Sequence, residues 1–212
     1  MTTCLIKTVV FMGSSRSLVP PWDGDSRLGS RVLQYVTKAL AARSAPVGQS
    51  GAAVVHEVTV FDPLEVFGEG GALAQSGCEL TAPHFFFKAG SAPAAMDAMR
   101  DAIKAADAIL VVTAEYNHAP PPALLSMLDH FGGSNYNGKP SGIITYSPGP
   151  WGGAPAVASP AGAVVADVRG WRLALALALA PASVGLAMTS RTCHDVPRLH
   201  RALASAQARA VR

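Results

Sequence analysis

Residues 106–130, reading ADAILVVTAEYNHAPPPALLSMLDH, place a buried strand, a polar turn and a helix start in one short block. No other stretch limits the possible folds as strongly. Ala108-Ile109-Leu110-Val111-Val112-Thr113 is apolar up to its threonine and rich in β-branched residues. Such a run suits a central parallel strand covered on both faces, where neither side meets water. The chain then turns abruptly polar at Glu115-Tyr116-Asn117-His118. Pro120, Pro121 and Pro122 follow, and Leu124, Met127, Leu128 and Phe131 recur at helical spacing. Proline suits a first helical turn, where its missing N–H would have had no partner. In open α/β sheets, ligands bind beyond the carboxyl ends of strands, so this block predicts a ligand-contacting loop between a strand and a helix.

The rest of the chain repeats the alternation. Residues 5–12 are apolar and β-branched apart from Lys7 and Thr8, and they open into Gly13-Ser14-Ser15-Arg16, a first strand and its turn. Leu28, Val32, Val36 and Leu40 recur every four residues and mark an amphipathic helix. Residues 54–61 read as a second strand closed by Asp62-Pro63. Residues 65–91, rich in Gly, Ala and Pro around Phe85-Phe86-Phe87, read as a long excursion with little regular structure. Met96, Met99 and Ile103 mark the helix that precedes the strand at Ala108. Residues 141–146 form a fourth strand that ends at Ser147-Pro148-Gly149-Pro150-Trp151-Gly152-Gly153. Residues 154–180 are alanine-rich and mostly helical in propensity, though Pro155, Pro160, Gly162 and Gly170 break them. Residues 184–189 read as a fifth strand and the tail from Pro197 as a last helix. Strands alternating with helices predict a parallel sheet with helices on both faces, in one domain without repeat or linker.

Composition narrows the function classes. A length of 212 residues suits one well-buried domain, and 15% charged residues beside 50% hydrophobic ones is a globular balance. The net charge of +3 comes from scattered Lys and Arg without a basic run, so no nucleic-acid partner is expected. Cys4, Cys78 and Cys193 are odd in number and far apart, which predicts neither a metal site nor a disulfide framework and fits a reducing compartment. The first residues lack the pattern of a secretory signal. Residues 171–188 approach the length of a membrane span, but Pro181 interrupts them and much of their apolar character is alanine; a buried helix followed by a strand is the better reading. A soluble, cytoplasmic protein with no membrane partner is therefore expected.

Three strand ends carry the unusual residues, and in a parallel sheet they emerge on one edge. Ser14, Ser15 and Arg16 offer hydroxyls and a planar, permanently charged fork near a helix start, a combination suited to phosphate; Ser26, Arg27 and Gly29 sit where they can close the same pocket. The other two loops suit a planar polar heterocycle, with glycines admitting the backbone to ring edges and Tyr116 and Trp151 supplying flat walls. His118 reads as a structural histidine, since no Asp or Ser partner stands at helical spacing. Neither a GxxxxGK loop nor the GxGxxG dinucleotide fingerprint follows the first strand.

Together, Gly13-Ser14-Ser15-Arg16, Glu115-Tyr116-Asn117-His118 and Ser147-Pro148-Gly149-Pro150-Trp151-Gly152-Gly153 resemble the NADPH-dependent FMN reductase family, over about residues 5–155. EYNH is the specific part of the match. The resemblance implies a flavodoxin-like three-layer sandwich with a five-stranded parallel sheet in the order 2-1-3-4-5. It implies that Ser14, Arg16 and the turn Ser26-Arg27-Leu28-Gly29 hold the FMN phosphate. It implies further that Glu115, Tyr116 and Asn117 line the isoalloxazine, and that the backbone of Ser147, Pro148, Gly149, Trp151 and Gly152 meets its pyrimidine edge. Three departures stand out: an insert at residues 17–25, Ala114 where proline is usual, and Pro150 and Pro155 where glycine and arginine are favoured.

The implied activity is an NAD(P)H-dependent oxidoreductase, with hydride passing from NADPH or NADH through FMN to a quinone, azo or similar small-molecule acceptor. The cofactor carries that chemistry, so no side-chain nucleophile or essential general base is expected. A homodimer or homotetramer is implied as well. Two other readings fit the same loops: an FMN-binding redox carrier or sensor without efficient NAD(P)H turnover, and a scaffold for a different phosphate-bearing ligand.

Overall fold

Five strands form one sheet in the order β2-β1-β3-β4-β5. They are β1 (Thr3–Met12), β2 (Ala53–Phe61), β3 (Ala108–Ala114), β4 (Ser141–Tyr146) and β5 (Val184–Thr189). The structure, a computed structural model, describes residues 3–16, 26–42, 53–74, 82–158 and 184–189. Alternation along the strands divides the core in two. Val9, Phe11, Val111 and Ile143 face one side, where α3 (Ala94–Ala105) and α4 (Pro122–Asp129) cover them with Met96, Met99, Ile103, Leu124 and Met127. Val10, Val112, Ile144 and Tyr146 face the other side, against Val32 and Val36 of α1 (Leu28–Ala42). Period-two strands between period-3.6 helices thus produce the expected layers, with helices on both faces.

β1 to β4 run parallel. β5 does not: it pairs antiparallel with β4, Val184 opposite Tyr146, which corrects the expectation of five parallel strands. A parallel fifth strand needs a crossover back to the far end of the sheet. Here the chain leaves β4 at Tyr146 and re-enters the sheet beside that same residue, so the intervening segment starts and ends at the carboxyl edge. The excursion after β2 also differs from expectation. It opens with α2 (Pro63–Val66), and Val66 and Leu73 pack into the core, joined by a Leu73 N–H to Val66 carbonyl bond of 2.9 Å. A 3-10 turn follows at His84–Phe86. Ala154–Ala158 forms a short helix, α5. The insert at residues 17–25, most of the alanine-rich run and the tail from Pro197 lie outside the described residues.

Strand order places the useful edge. Successive strands diverge from β1, with β2 on one side and β3 on the other, which opens a crevice at the carboxyl ends of β1 and β3. Gly13 closes the base of that crevice. Its N–H donates to the Val112 carbonyl at 2.8 Å, and a Cβ there would lie 2.8 Å from Thr113 Oγ1 and 3.2 Å from Thr113 Cα, so only glycine lets the two strand ends approach. Among the described residues, no helix is long and apolar enough to cross a membrane.

Candidate functional site

A cavity of about 240 Å³ fills the crevice, lined by Ser14, Arg16, Leu28, Gly29, Glu115, Tyr116, Asn117 and Pro148 together with Ala114 and Tyr146. Eight of the residues singled out from sequence therefore converge, drawn from the ends of β1, β3 and β4 and the start of α1. A larger recess of about 750 Å³ between residues 69–74 and the start of α3 brings none of the polar loops together.

The first two loops are cross-linked. Ser14 Oγ and Tyr116 Oη are hydrogen-bonded at 2.8 Å, and the Arg16 guanidinium lies over the Tyr116 ring, 4.1 Å from its centroid. An exposed cation–π contact of this kind contributes about 0.5–1 kcal/mol, little enough for an anionic ligand to displace. Arg27 is held differently. It is buried, and its guanidinium forms a fork on Asp62 with bonds of 2.8 and 2.6 Å while Nη1 also donates to the Ser14 carbonyl at 2.9 Å. Its direct effect is to fix the Ser14 loop against the end of β2. Asp62 is anchored in turn as the N-cap of α2, its Oδ1 accepting the Leu64 N–H at 2.9 Å.

The second loop is a two-residue reversal. Tyr116 and Ala119 exchange backbone bonds of 2.8 and 3.1 Å, and between them Asn117 and His118 both adopt positive φ, 51° and 62°. This is the φ pattern of a type I′ turn, and Asn and His are among the non-glycine residues that tolerate it best. The turn folds His118 Nδ1 back to 3.1 Å from Glu115 Oε1. The turn thus gives His118 a carboxylate neighbour three residues back, a glutamate rather than the Asp or Ser sought in the sequence.

Tyr146, at the end of β4, went unnoticed in the sequence because it reads there as a core aromatic. Its ring is buried against α1, and its Oη has no hydrogen-bond partner among the described residues. Burial pushes its phenol above the ordinary range; nearby Ser14 tempers that shift, although the Ser14 hydroxyl bonds to Tyr116. In the third loop, Ser147 Oγ accepts the Gly149 N–H at 3.2 Å and Thr145 Oγ1 donates to the Gly152 carbonyl at 3.0 Å. Trp151 is 73% exposed. Ser26, Arg27, Ser147, Gly149, Trp151 and Gly152 do not line the cavity itself.

An α/β sheet of this order with a polar crevice at its switch point defines a flavodoxin-like, ligand-binding class of protein. The chain belongs to the NADPH-dependent FMN reductase family, whose description matches residues 6–161. Members are flavin oxidoreductases that hold FMN and take electrons from NAD(P)H. A quinone reductase of Pseudomonas putida strain KT2440 is 41% identical over 58 residues, covering 26% of this chain and 31% of the relative. A second quinone reductase of Pseudomonas putida is 37% identical over 65 residues, covering 29% and 35%. The chain thus spans about a third of the length of the curated relatives it matches. The flavoenzyme NAD(P)H:(acceptor) oxidoreductase FerB from Paracoccus denitrificans is 22% identical, with a TM-score of 0.45 over 72% of this chain and 67% of that one.

The crevice fits the family's cofactor. The Arg16 guanidinium and Ser14 hydroxyl, suited to a phosphate, meet the Tyr116 ring and its backbone turn, suited to a flat heterocycle, in one space, and the Tyr146 hydroxyl has no partner among the described residues.

Proposed function

We propose that this protein is an NAD(P)H-dependent FMN oxidoreductase that delivers electrons to a quinone, azo compound or similar small acceptor. The observation that carries the reading is the convergence of the phosphate-suited Ser14–Arg16 loop and the Glu115–Asn117 turn on one crevice at the β1/β3 switch point. The start of α1 at Leu28 and Gly29 faces the same space. When bound, FMN supplies the hydride chemistry; the protein binds, orients and shields it.

On this reading Arg16 leaves the Tyr116 ring to pair with the phosphate, which frees the ring as a wall of the isoalloxazine pocket. Ser14 contributes its hydroxyl to the same phosphate, and Arg27 keeps that loop in place through the Ser14 carbonyl. Backbone groups of residues 147–152 read the pyrimidine edge. The single-domain organisation, a homodimeric or homotetrameric state and a cytoplasmic location belong to this reading as well.

Purified protein incubated with FMN and then desalted should keep a yellow flavin spectrum, which NADPH should bleach in the absence of oxygen. A protein that stays colourless after incubation with FMN refutes the proposal. Steady-state NADPH oxidation with a quinone separates an enzyme from a redox carrier.

A further inference from the structure

We propose that His118, oriented by Glu115, is the general acid that protonates the acceptor at the mouth of this site. The inference deepens the oxidoreductase reading and rests on it. Three observations converge on His118. Its Nδ1 lies 3.1 Å from Glu115 Oε1, and the ring is 79% exposed while the carboxylate is only 13% exposed. Its backbone φ is 62°, in a turn where glycine is the favoured residue at that position. Placing a side chain in the left-handed region costs about 1–2 kcal/mol, and backbone strain of this kind gathers at functional sites. Its neighbours Glu115, Tyr116 and Asn117 all line the crevice, whereas His118, the next residue, does not line it and is exposed to solvent.

The pairing determines which nitrogen is available. A carboxylate only accepts hydrogen bonds, so on this proposal Nδ1, the nitrogen nearer Glu115, carries the neutral ring's proton and Nε2, on the opposite side of the ring, meets the acceptor. Arg16, from the loop after β1, lies over the neighbouring Tyr116 ring, 4.1 Å from its centroid.

A quinone gains two electrons and two hydrogens on becoming a hydroquinone. Hydride supplies both electrons and one hydrogen; the second must arrive as a proton on a carbonyl oxygen that is becoming negative. In the imidazolium form, the Nε2–H bond of His118 breaks as that O–H bond forms. The neutral ring then recovers a proton from water. Glu115 is a positioning residue in this step, because it holds the ring's orientation and tautomer.

The test compares kcat/KM for 1,4-benzoquinone with that for ferrocenium, a one-electron acceptor that takes up no proton, in His118→Gln and His118→Gly. The quinone-to-ferrocenium ratio should fall at least about tenfold in both, below the ~10²–10⁴ typical of acid catalysis because water can substitute in part. His118→Gly should melt no lower than the parent, which separates the effect from misfolding. A flavin-free readout accompanies it: ¹⁵N spectra of the apo protein should show neutral His118 protonated at Nδ1, reverting to Nε2 in Glu115→Ala. An unchanged acceptor ratio, or neutral His118 protonated at Nε2 in the parent, overturns the acid role alone. A parent protein that binds no FMN, or reduces neither acceptor, overturns the oxidoreductase reading and the acid role together.

Discussion

Replacing Asp62 by Ala should be the most damaging single change outside the apolar core. The carboxylate accepts two bonds from Arg27, at 2.8 and 2.6 Å, and one from the Leu64 N–H at 2.9 Å. The side chains of the ion pair are only 9% and 12% exposed, so Arg27 would lose both carboxylate bonds in a setting with little water to replace them. Breaking such a pair from one side costs about 3–5 kcal/mol, and losing an N-cap adds about 1 kcal/mol. The total of about 4–6 kcal/mol approaches the whole stability of an ordinary domain, about 5–15 kcal/mol. Removing both charges should be much milder, because an apolar pair of similar volume needs no desolvation compensation. The assay is urea unfolding followed by circular dichroism on Asp62→Ala, Arg27→Met and Arg27→Met with Asp62→Leu. A coupling of at least about 2 kcal/mol is expected from the double-mutant cycle. Asp62→Ala costing less than about 1 kcal/mol, or an additive cycle, would refute the argument that this pair locks the Ser14 loop to the end of β2.

Gly29→Ala should destabilise by about 1 kcal/mol although alanine is the better helix former. Its Cβ would sit 2.2 Å from Tyr146 Oη and 2.7 Å from Met12 Cε, both side chains being buried. A rise in melting temperature would contradict that crowding. Tyr146→Phe removes a buried hydroxyl that has no partner among the described residues, so apo stability should hold or rise while FMN affinity falls. An apo loss above about 1 kcal/mol, read from urea midpoints, would show that the hydroxyl is already satisfied. Burial raises the phenols of Tyr136 and Tyr146, so both keep their protons in the fold after the unfolded chain has begun to release them near its ordinary value, about 10. Stability should therefore be full below that pH and fall above it by about 1.4 kcal/mol per pH unit for each tyrosine. Tyr136→Phe should flatten the decline, and an unchanged slope between pH 10 and 12 would count against it.

Much of this architecture is written in periodicity. The runs at Val9-Val10-Phe11-Met12, Ile109-Leu110-Val111-Val112 and Ile143-Ile144 announce strands buried on both faces. Leu28, Val32, Val36 and Leu40 mark the α1 face, of which Val32 and Val36 are buried, because residues four apart share one side of a helix. With strands alternating with helices, the polar strand ends had to gather on one edge, and so the Ser14–Arg16 and Glu115–Asn117 loops were legible as one site. Other features depend on distance through space. Arg27 reads as a phosphate ligand until Asp62, 35 residues away, is brought beside it by the pairing of β1 with β2. Tyr146 reads as core until α1 lies across it and its hydroxyl is left without a partner among the described residues. β5 reads as one more parallel strand because a run of apolar residues carries no direction. Local chemistry determines which residues are buried and which loops are polar. Only the tertiary structure decided which charges meet, which hydroxyl is left open, and that a two-residue turn would join His118 to Glu115.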